Sequence, residues 1–231
     1  MGIKLLVFDL DDTIAETGKV VLPEYVEIMK KIENAGVCIA ICSGKPTYYL
    51  CGFMRQIGLR EPILIGENGG VVQFGVDLPP EKYYILPYSR EAAQSIKYLK
   101  EKIMEWIPDM FFQPNLVGLT PFPKNKKEYD KIAQLIREGK EHLVDVDIYE
   151  HFDCFDIMPK GIDKGSGLRY LGKLLNLAPE EMIAAGDGVN DYPMFSYAGT
   201  SLGVNVSEDD KVTINFETRK EMFLYLKKIF L

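Results

Sequence analysis

The sequence predicts an α/β fold: a doubly wound parallel-sheet core with a smaller α+β domain inserted into it. Three observations predict it. Short apolar runs alternate with amphipathic stretches at both ends of the chain. These runs are continuously apolar, as in "VCIAIC" at Val37 to Cys42, which is expected of parallel strands buried on both faces. In the middle of the chain the alternation gives way to a helix–strand–strand pattern that occurs twice.

Taken in order, "IKLLVFDL" reads as a first strand ending in acid. Pro23 to Ala35 has helical spacing, with Val26, Met29 and Ile32 on one face. Pro23 suits its first turn and Gly36 its end. "VCIAIC" is the second strand, and Pro46 opens a helix to about Ile57. "PILIG" is the third strand, so the run has the Rossmann-like strand–helix alternation. "GENGGVVQFGVDLPPEKYYIL" reads as a hairpin bent at its glycines and prolines. Ser89 to Trp106 and Asn125 to Glu138 read as helices. Each is followed by two strands, "MFFQPNLVGLTPF" after the first, then "LVDVDIY" and "FDCFDIM". The alternating pattern resumes with a helix at Lys164 to Asn176, the strand "MIAA" and a helix at Asn190 to Ala198. The strand "TSLGV", a short strand near Val212 and a helix at Thr218 to Phe230 finish the chain. The expected division is a core of residues 1–81 and 159–231, with an inserted domain at 82–158.

Composition narrows the function classes. Of 231 residues, 47% are hydrophobic and 26% charged, ordinary values for a globular protein. No apolar stretch nears the roughly 20 residues that span a bilayer. The opening residues are too short in apolar length for a secretory signal, so the expected location is the cytoplasm. The net charge of −7 argues against nucleic acid and against anionic membrane surfaces as partners. The cysteines Cys38, Cys42, Cys51 and Cys154 form no C-x-x-C pair, and Cys38 and Cys42 read as small buried hydrophobes. His142 and His151 have no zinc spacing.

Ligands of an open α/β sheet bind beyond the carboxyl ends of its strands. Four such ends carry unusual residues. Asp9-Leu10-Asp11-Asp12-Thr13 follows the first strand. Alternation points Asp9 and Asp11 the same way, and two adjacent carboxylates ionise together cheaply only beside a cation. Mg²⁺ suits that role, because it takes oxygen ligands. A turn with capping aspartates is the plain alternative. A calcium loop fails, since Ile14 and Val20 stand where it needs glycine and glutamate. Ser43 and Gly44 in "ICSGKP" sit where a hydroxyl, an N–H and a helix start together can hold a phosphate, or where a serine simply caps. Lys164 in "GIDKGSGL" is a cation at a helix N-terminus, opposed to the helix dipole unless an anion lies between them. "AAGDGVND" puts Asp187 between Gly186 and Gly188, with Asn190 and Asp191 one turn on. Four complementary roles at four strand ends point to one site that handles phosphate with a divalent cation.

These residues resemble the haloacid dehalogenase-like phosphatase superfamily. The Asp9 to Thr13 run looks like its first motif, Ser43 its second, Lys164 its third and Gly186 to Asp191 its fourth. The position of the insert is similar to the larger cap of the Cof-type branch, subfamily IIB. That branch includes sugar-phosphate, sucrose-phosphate and archaeal phosphoglycolate phosphatases and the phosphomannomutases. Asp12 departs from the commoner glycine of the first motif, and Lys45 stands where many relatives carry arginine.

The resemblance implies a Mg²⁺-dependent phosphatase of a small phosphorylated metabolite, a sugar phosphate or a phosphoglycolate-like compound. Asp9 would attack phosphorus and form an aspartyl-phosphate. Asp11 would protonate the leaving alcohol and then activate water. Ser43, Gly44 and Lys164 would neutralise the phosphoryl oxygens. Mg²⁺ would be held by Asp9, by the Asp11 carbonyl and by Asp187, with Asp191 or Asn190 placing its waters. The cap would close over the substrate and set specificity. Arg90, Lys124 and Lys126 are candidates there for a second anionic group, beside the alternative of ordinary surface charge. Glu67 and Asn68 in "GENGG" either border the site or serve the hairpin turn. A phosphomutase on the same fold is the alternative activity.

Overall fold

Leu5–Phe8 (β1) is four apolar residues in succession, all fully buried, and it lies inside the main sheet with a neighbour on each edge. The computed structural model describes residues 2–231. After β1 come α1 (Pro23–Asn34), β2 (Cys38–Cys42), α2 (Thr47–Ile57), β3 (Ile63–Gly66), β4 (Val71–Phe74) and β5 (Lys82–Ile85). Next are α3 (Arg90–Trp106), β6 (Phe111–Gln113), β7 (Thr120–Phe122), α4 (Lys126–Glu138), β8 (Val146–Glu150) and β9 (Phe155–Pro159). The chain ends with α5 (Lys164–Leu175), β10 (Met182–Gly186), α6 (Tyr192–Tyr197), β11 (Thr200–Val204), β12 (Ile214–Phe216) and α7 (Arg219–Phe230).

The chain forms two compact units. One is Met1–Leu86 with Asp163–Leu231, the other Pro87–Ile162. In the larger unit the strand order is β12-β11-β10-β1-β2-β3-β4-β5. β1 pairs in parallel with β2 on one edge and with β10 on the other. The chain thus winds outward from β1 in both directions, and β1 marks the topological switch point where such sheets bind ligands. β3 is parallel to β2, β4 is antiparallel to β3, and β5 is antiparallel to β4.

Leu6 and Phe8 of β1 share a core with Met29 and Ile32 of α1, Leu50 and Met54 of α2, and Phe223 and Leu226 of α7. Phe223 stacks on Phe8 at 5.7 Å and on Tyr25 at 4.2 Å. α5 and α6 pack close together, because Gly165 leaves room for the Pro193 carbonyl and a Cβ there would run into it. Helix starts follow local chemistry: Pro23 opens α1, and Asp163 caps α5 by accepting from the Ser166 N–H at 2.7 Å.

In the smaller unit β6 pairs with β7 and β8 with β9, both antiparallel, and a bridge from Leu119 to Ile157 joins the two ribbons. Leu99 and Ile103 of α3 and Ile132 and Leu135 of α4 pack with Leu119, Phe155 and Ile157. The helix–strand–strand repeat read from the sequence is present in this order. Among the described residues no helix is long and apolar enough to cross a membrane.

Three details differ from the sequence reading. Lys82–Ile85, assigned to the insert, pairs along its whole length with β4, so the smaller unit begins at Pro87, and it runs to Ile162 rather than ending at residue 158. The residues of β5 are half-buried or exposed, and their pattern carries no core signal to tie them to the larger sheet. Cys38 is exposed rather than buried, because it is the first residue of β2 and lies at the strand's outer end, while Cys42 is buried. The last strand lies at Ile214–Phe216, after a 3₁₀ turn at Asp209–Lys211 that displaces it from Val212.

Removing the ring on which Phe8 and Tyr25 stack leaves a cavity under β1. Phe223→Ala is expected to lower unfolding stability by about 3–5 kcal/mol in denaturant titration. A loss under about 1 kcal/mol, the scale of a well-tolerated core swap, would show that α7 does not brace β1.

Candidate active site

β1 delivers Asp9 to the carboxyl edge of the sheet, and its N–H is held by the Ala185 carbonyl of β10 at 2.8 Å. β10 ends at Gly186 and delivers Asp187 beside it. Gly186 is required here, because a Cβ would run into the Asp191 carboxylate. Asp191 is fully buried, and its Oδ2 accepts the N–H groups of Asp187 and Gly188, both at 3.0 Å. The GDGVND run therefore folds back on itself so that Asp187 and Asp191 face Asp9. Where the sequence suggested a helix from Asn190, a 3₁₀ turn (Val189–Asp191) precedes α6, and Asn190 is exposed.

Lys164, the first residue of α5, is only 2% exposed. Its ammonium donates to Asp9 Oδ1 and Asp191 Oδ1, each at 2.6 Å. The anionic partner expected for this lysine is, in the structure, a pair of aspartates. Burial pulls the Lys164 pKa down, but Asp191 and then Asp9 outweigh it, and the net shift is upward. Burial pushes the Asp9 carboxyl up to about 8, Lys164 opposes the rise, and Asp191 and Asp187 add to it. Asp187 is raised by burial and by Asp191, against the hydrogen bond it receives from Thr13. One ammonium thus faces three carboxyl groups, with ligand atoms of Asp9, Asp187 and Asp191 within 4.8 Å of one another. This all-oxygen set, short of positive charge, fits a hard divalent cation such as Mg²⁺.

Ser43, at the end of β2, is buried, and its hydroxyl accepts the Lys45 N–H at 3.2 Å. The turn after β3 braces this loop. Asn68 N–H donates to the Ser43 carbonyl and Glu67 N–H to the Lys45 carbonyl, both at 3.0 Å. Glu67 and Asn68 have φ of 54° and 50°, and Gly69 has 100°. A Cβ on Gly69 would strike the Asp163 carbonyl, so this turn also packs on the start of α5, next to Lys164. "GENGG" accordingly borders the site and serves the hairpin at once. Asp11 lies outside the buried carboxyl group, part-exposed, with Lys45 Nζ 3.7 Å from its Oδ2. In the smaller unit Lys124 is ion-paired with Asp109 and Lys126 with Asp130.

Two residues of the larger unit were assigned no role from sequence. Thr13 is fully buried and donates its hydroxyl to Asp187 Oδ1 at 2.9 Å, tying the first strand end to the fourth. A hydroxyl four residues after Asp9 in a polar loop was the available signal. Lys45 offers Asp11 its nearest cation, which only the folded loop reveals.

A family model described as haloacid dehalogenase-like hydrolase matches this chain over residues 6–113 and 81–214. A phosphoglycolate phosphatase of Methanobrevibacter smithii is 26% identical over 209 residues, covering 90% of this chain and 88% of the relative. A haloacid dehalogenase-like hydrolase of Bacteroides thetaiotaomicron has the same fold, with a TM-score of 0.77 at 17% identity over 99% of this chain and 100% of its own. A subclass IIB sugar phosphatase superposes with a TM-score of 0.72 at 16% identity, covering 98% of both chains.

The raised Asp9 pKa gives a signed expectation for the metal-free protein. A carboxyl whose folded pKa lies near 8, against 3.8 for its ordinary value, stabilises the fold at low pH and loses that contribution as pH rises toward 8. In denaturant titrations with chelator, the stability of the native chain relative to Asp9→Asn is expected to fall steadily from about pH 4 to about pH 8. A difference that stays flat with pH would contradict the protonation assigned to Asp9.

Proposed function

This chain belongs to the haloacid dehalogenase-like hydrolase family, and from that premise we propose that it is a Mg²⁺-dependent phosphatase of a small phosphorylated metabolite, a sugar phosphate or a phosphoglycolate-like compound. The observation that carries this reading is the buried Asp9–Lys164–Asp191 contact with Asp187 beside it. Phosphoglycolate phosphatases among its relatives and a sugar phosphatase among its structural neighbours support the substrate class.

Asp9 is the nucleophile and forms the aspartyl-phosphate. Its carboxylate is aimed by the Lys164 ammonium and by the β1–β10 pairing beneath it. Asp11 sits two residues on, outside the ammonium's grip, where it can exchange protons with a leaving alcohol and then with water. Ser43, Gly44 and Lys164 hold the phosphoryl oxygens. Asp9, Asp187 and Asp191 would supply carboxylates and Asp11 a carbonyl to Mg²⁺, with Asn190 placing its waters. Thr13 keeps Asp187 turned toward that group. A bound Mg²⁺ would offset the surplus of carboxylate and share the charge of the phosphoryl oxygens. Substrate selection we assign to the smaller unit, as an inserted cap.

The test is release of inorganic phosphate from phosphoglycolate, sugar phosphates and phosphoglycerates, with Mg²⁺ or with chelator. Mg²⁺-dependent release is expected from at least one of these. Asp9→Asn should abolish it, and Asp11→Asn should lower kcat by about 10²–10⁴-fold. No release from any of them, full activity of Asp9→Asn, or transfer of the phosphoryl group within a sugar without net release would contradict the reading.

A further inference from the structure

Asp12 is a non-glycine residue held at φ +60° inside the loop that carries Asp9 and Asp11. An L-residue with a Cβ enters this left-handed region only at a cost, and aspartate enters it when its side chain is engaged locally. The contacts that hold Asp12 come from two sources. Within the loop, its N–H donates to the Ala15 carbonyl at 2.6 Å, and its carboxylate accepts the Thr17 N–H at 3.2 Å and the Thr17 hydroxyl at 2.9 Å. From the far end of the sequence, Arg219 Nη2 donates to the Asp12 carbonyl at 3.3 Å. The same guanidinium lies 3.7 Å from Asp12 Oδ1 and 3.6 Å from Glu16 Oε1.

Arg219 is well placed to transmit force rather than merely to decorate a surface. It is the first residue of α7, whose start is fixed by Thr218 accepting the Glu221 N–H. The helix itself is anchored under β1 by the Phe223 ring on Phe8. The Arg219 side chain is about four-fifths covered, although its acidic partners are exposed. A cavity of about 500 Å³ runs from Arg219 and Thr218 past Asp12 to Asp187, which puts this contact at the margin of the carboxylate group. The carbonyl it grips belongs to the peptide that leads into Thr13, whose hydroxyl holds Asp187. The N–H on the other side of Asp12 belongs to the peptide that carries the Asp11 carbonyl.

We propose that Arg219 is a positioning residue that holds Asp12 in its left-handed conformation and thereby aims both the Asp11 carbonyl and the Thr13 hydroxyl into the site. The catalytic half of this claim rests on the phosphatase reading above. Glycine adopts the same φ without help, so the dependence on Arg219 must vanish when residue 12 is glycine. A brace that merely stabilised α7 would act alike in both backgrounds.

The experiment is a cycle of Arg219→Ala and Asp12→Gly, with Arg219→Lys alongside, read by steady-state kinetics, thermal unfolding and amide exchange. Arg219→Ala is expected to lower kcat about tenfold with KM within about twofold, since misplacement acts on the reacting geometry. Added to Asp12→Gly it should cost less than about twofold, and Arg219→Lys, which still offers a donor, should recover part of the loss. Exchange at residues 12–17 should quicken in Arg219→Ala, measured without substrate or metal, and not in the double variant relative to Asp12→Gly. Equal kcat losses in both backgrounds, a loss confined to KM or to unfolding temperature, or unchanged exchange would overturn the proposal. The exchange measurement needs no turnover, so an absence of phosphatase activity with the expected exchange pattern would count against the function and not against the brace.

Discussion

The structure depends on one buried contact, the Lys164 ammonium held between Asp9 and Asp191. Each of these groups is costly to bury alone, by several kcal/mol per ion even after relaxation. Placed together they offset that cost, but not fully, because Asp187 adds a third carboxyl group without a second cation. Burial first, then Asp191 and Asp187, raise the Asp9 pKa to about 8, although Lys164 opposes the rise. A site built this way is arranged for positive charge to arrive with a ligand, which is the arrangement that phosphoryl transfer through a divalent cation uses.

The rest of the larger unit follows from bringing those groups together. Asp9 and Lys164 lie 155 residues apart in sequence. They meet because β1 sits between β2 and β10, and because α5 can approach the turn after β3. That approach depends on Gly69, where a side chain would collide with the Asp163 carbonyl. The approach of Asp191 depends in the same way on Gly186. α7 closes the arrangement from beneath, with Phe223 against Phe8 and Arg219 against the Asp12 carbonyl.

Much of this was legible in the sequence, and the reason is local. Strand runs such as "LLVF" and "CIAIC" are apolar through their full length, and helix starts at Pro23, Asp163 and Thr218 are set by residues beside them. The four strand-end motifs could be read because their chemistry is unusual for turns. What was not legible is what arises only between distant segments. Thr13 bonds a residue 174 positions away, and Arg219 one 207 positions away, and neither leaves a periodic trace. β5 was placed in the wrong unit because the pairing that retains it involves backbone groups that every residue has. The sequence marked Lys164 as a cation awaiting an anion but not its aspartate partners, which come from segments distant in sequence.

The central claim is that Asp9 itself takes the phosphoryl group. It is tested most directly by quenching the enzyme in acid during turnover with Mg²⁺ and a substrate it hydrolyses, then locating phosphate by mass spectrometry of its peptides. The account predicts phosphate on the peptide that contains Asp9, lost in Asp9→Asn and increased when hydrolysis of the aspartyl-phosphate is slowed by Asp11→Asn. Phosphate on another residue, or none on the protein while substrate is being turned over, would contradict it.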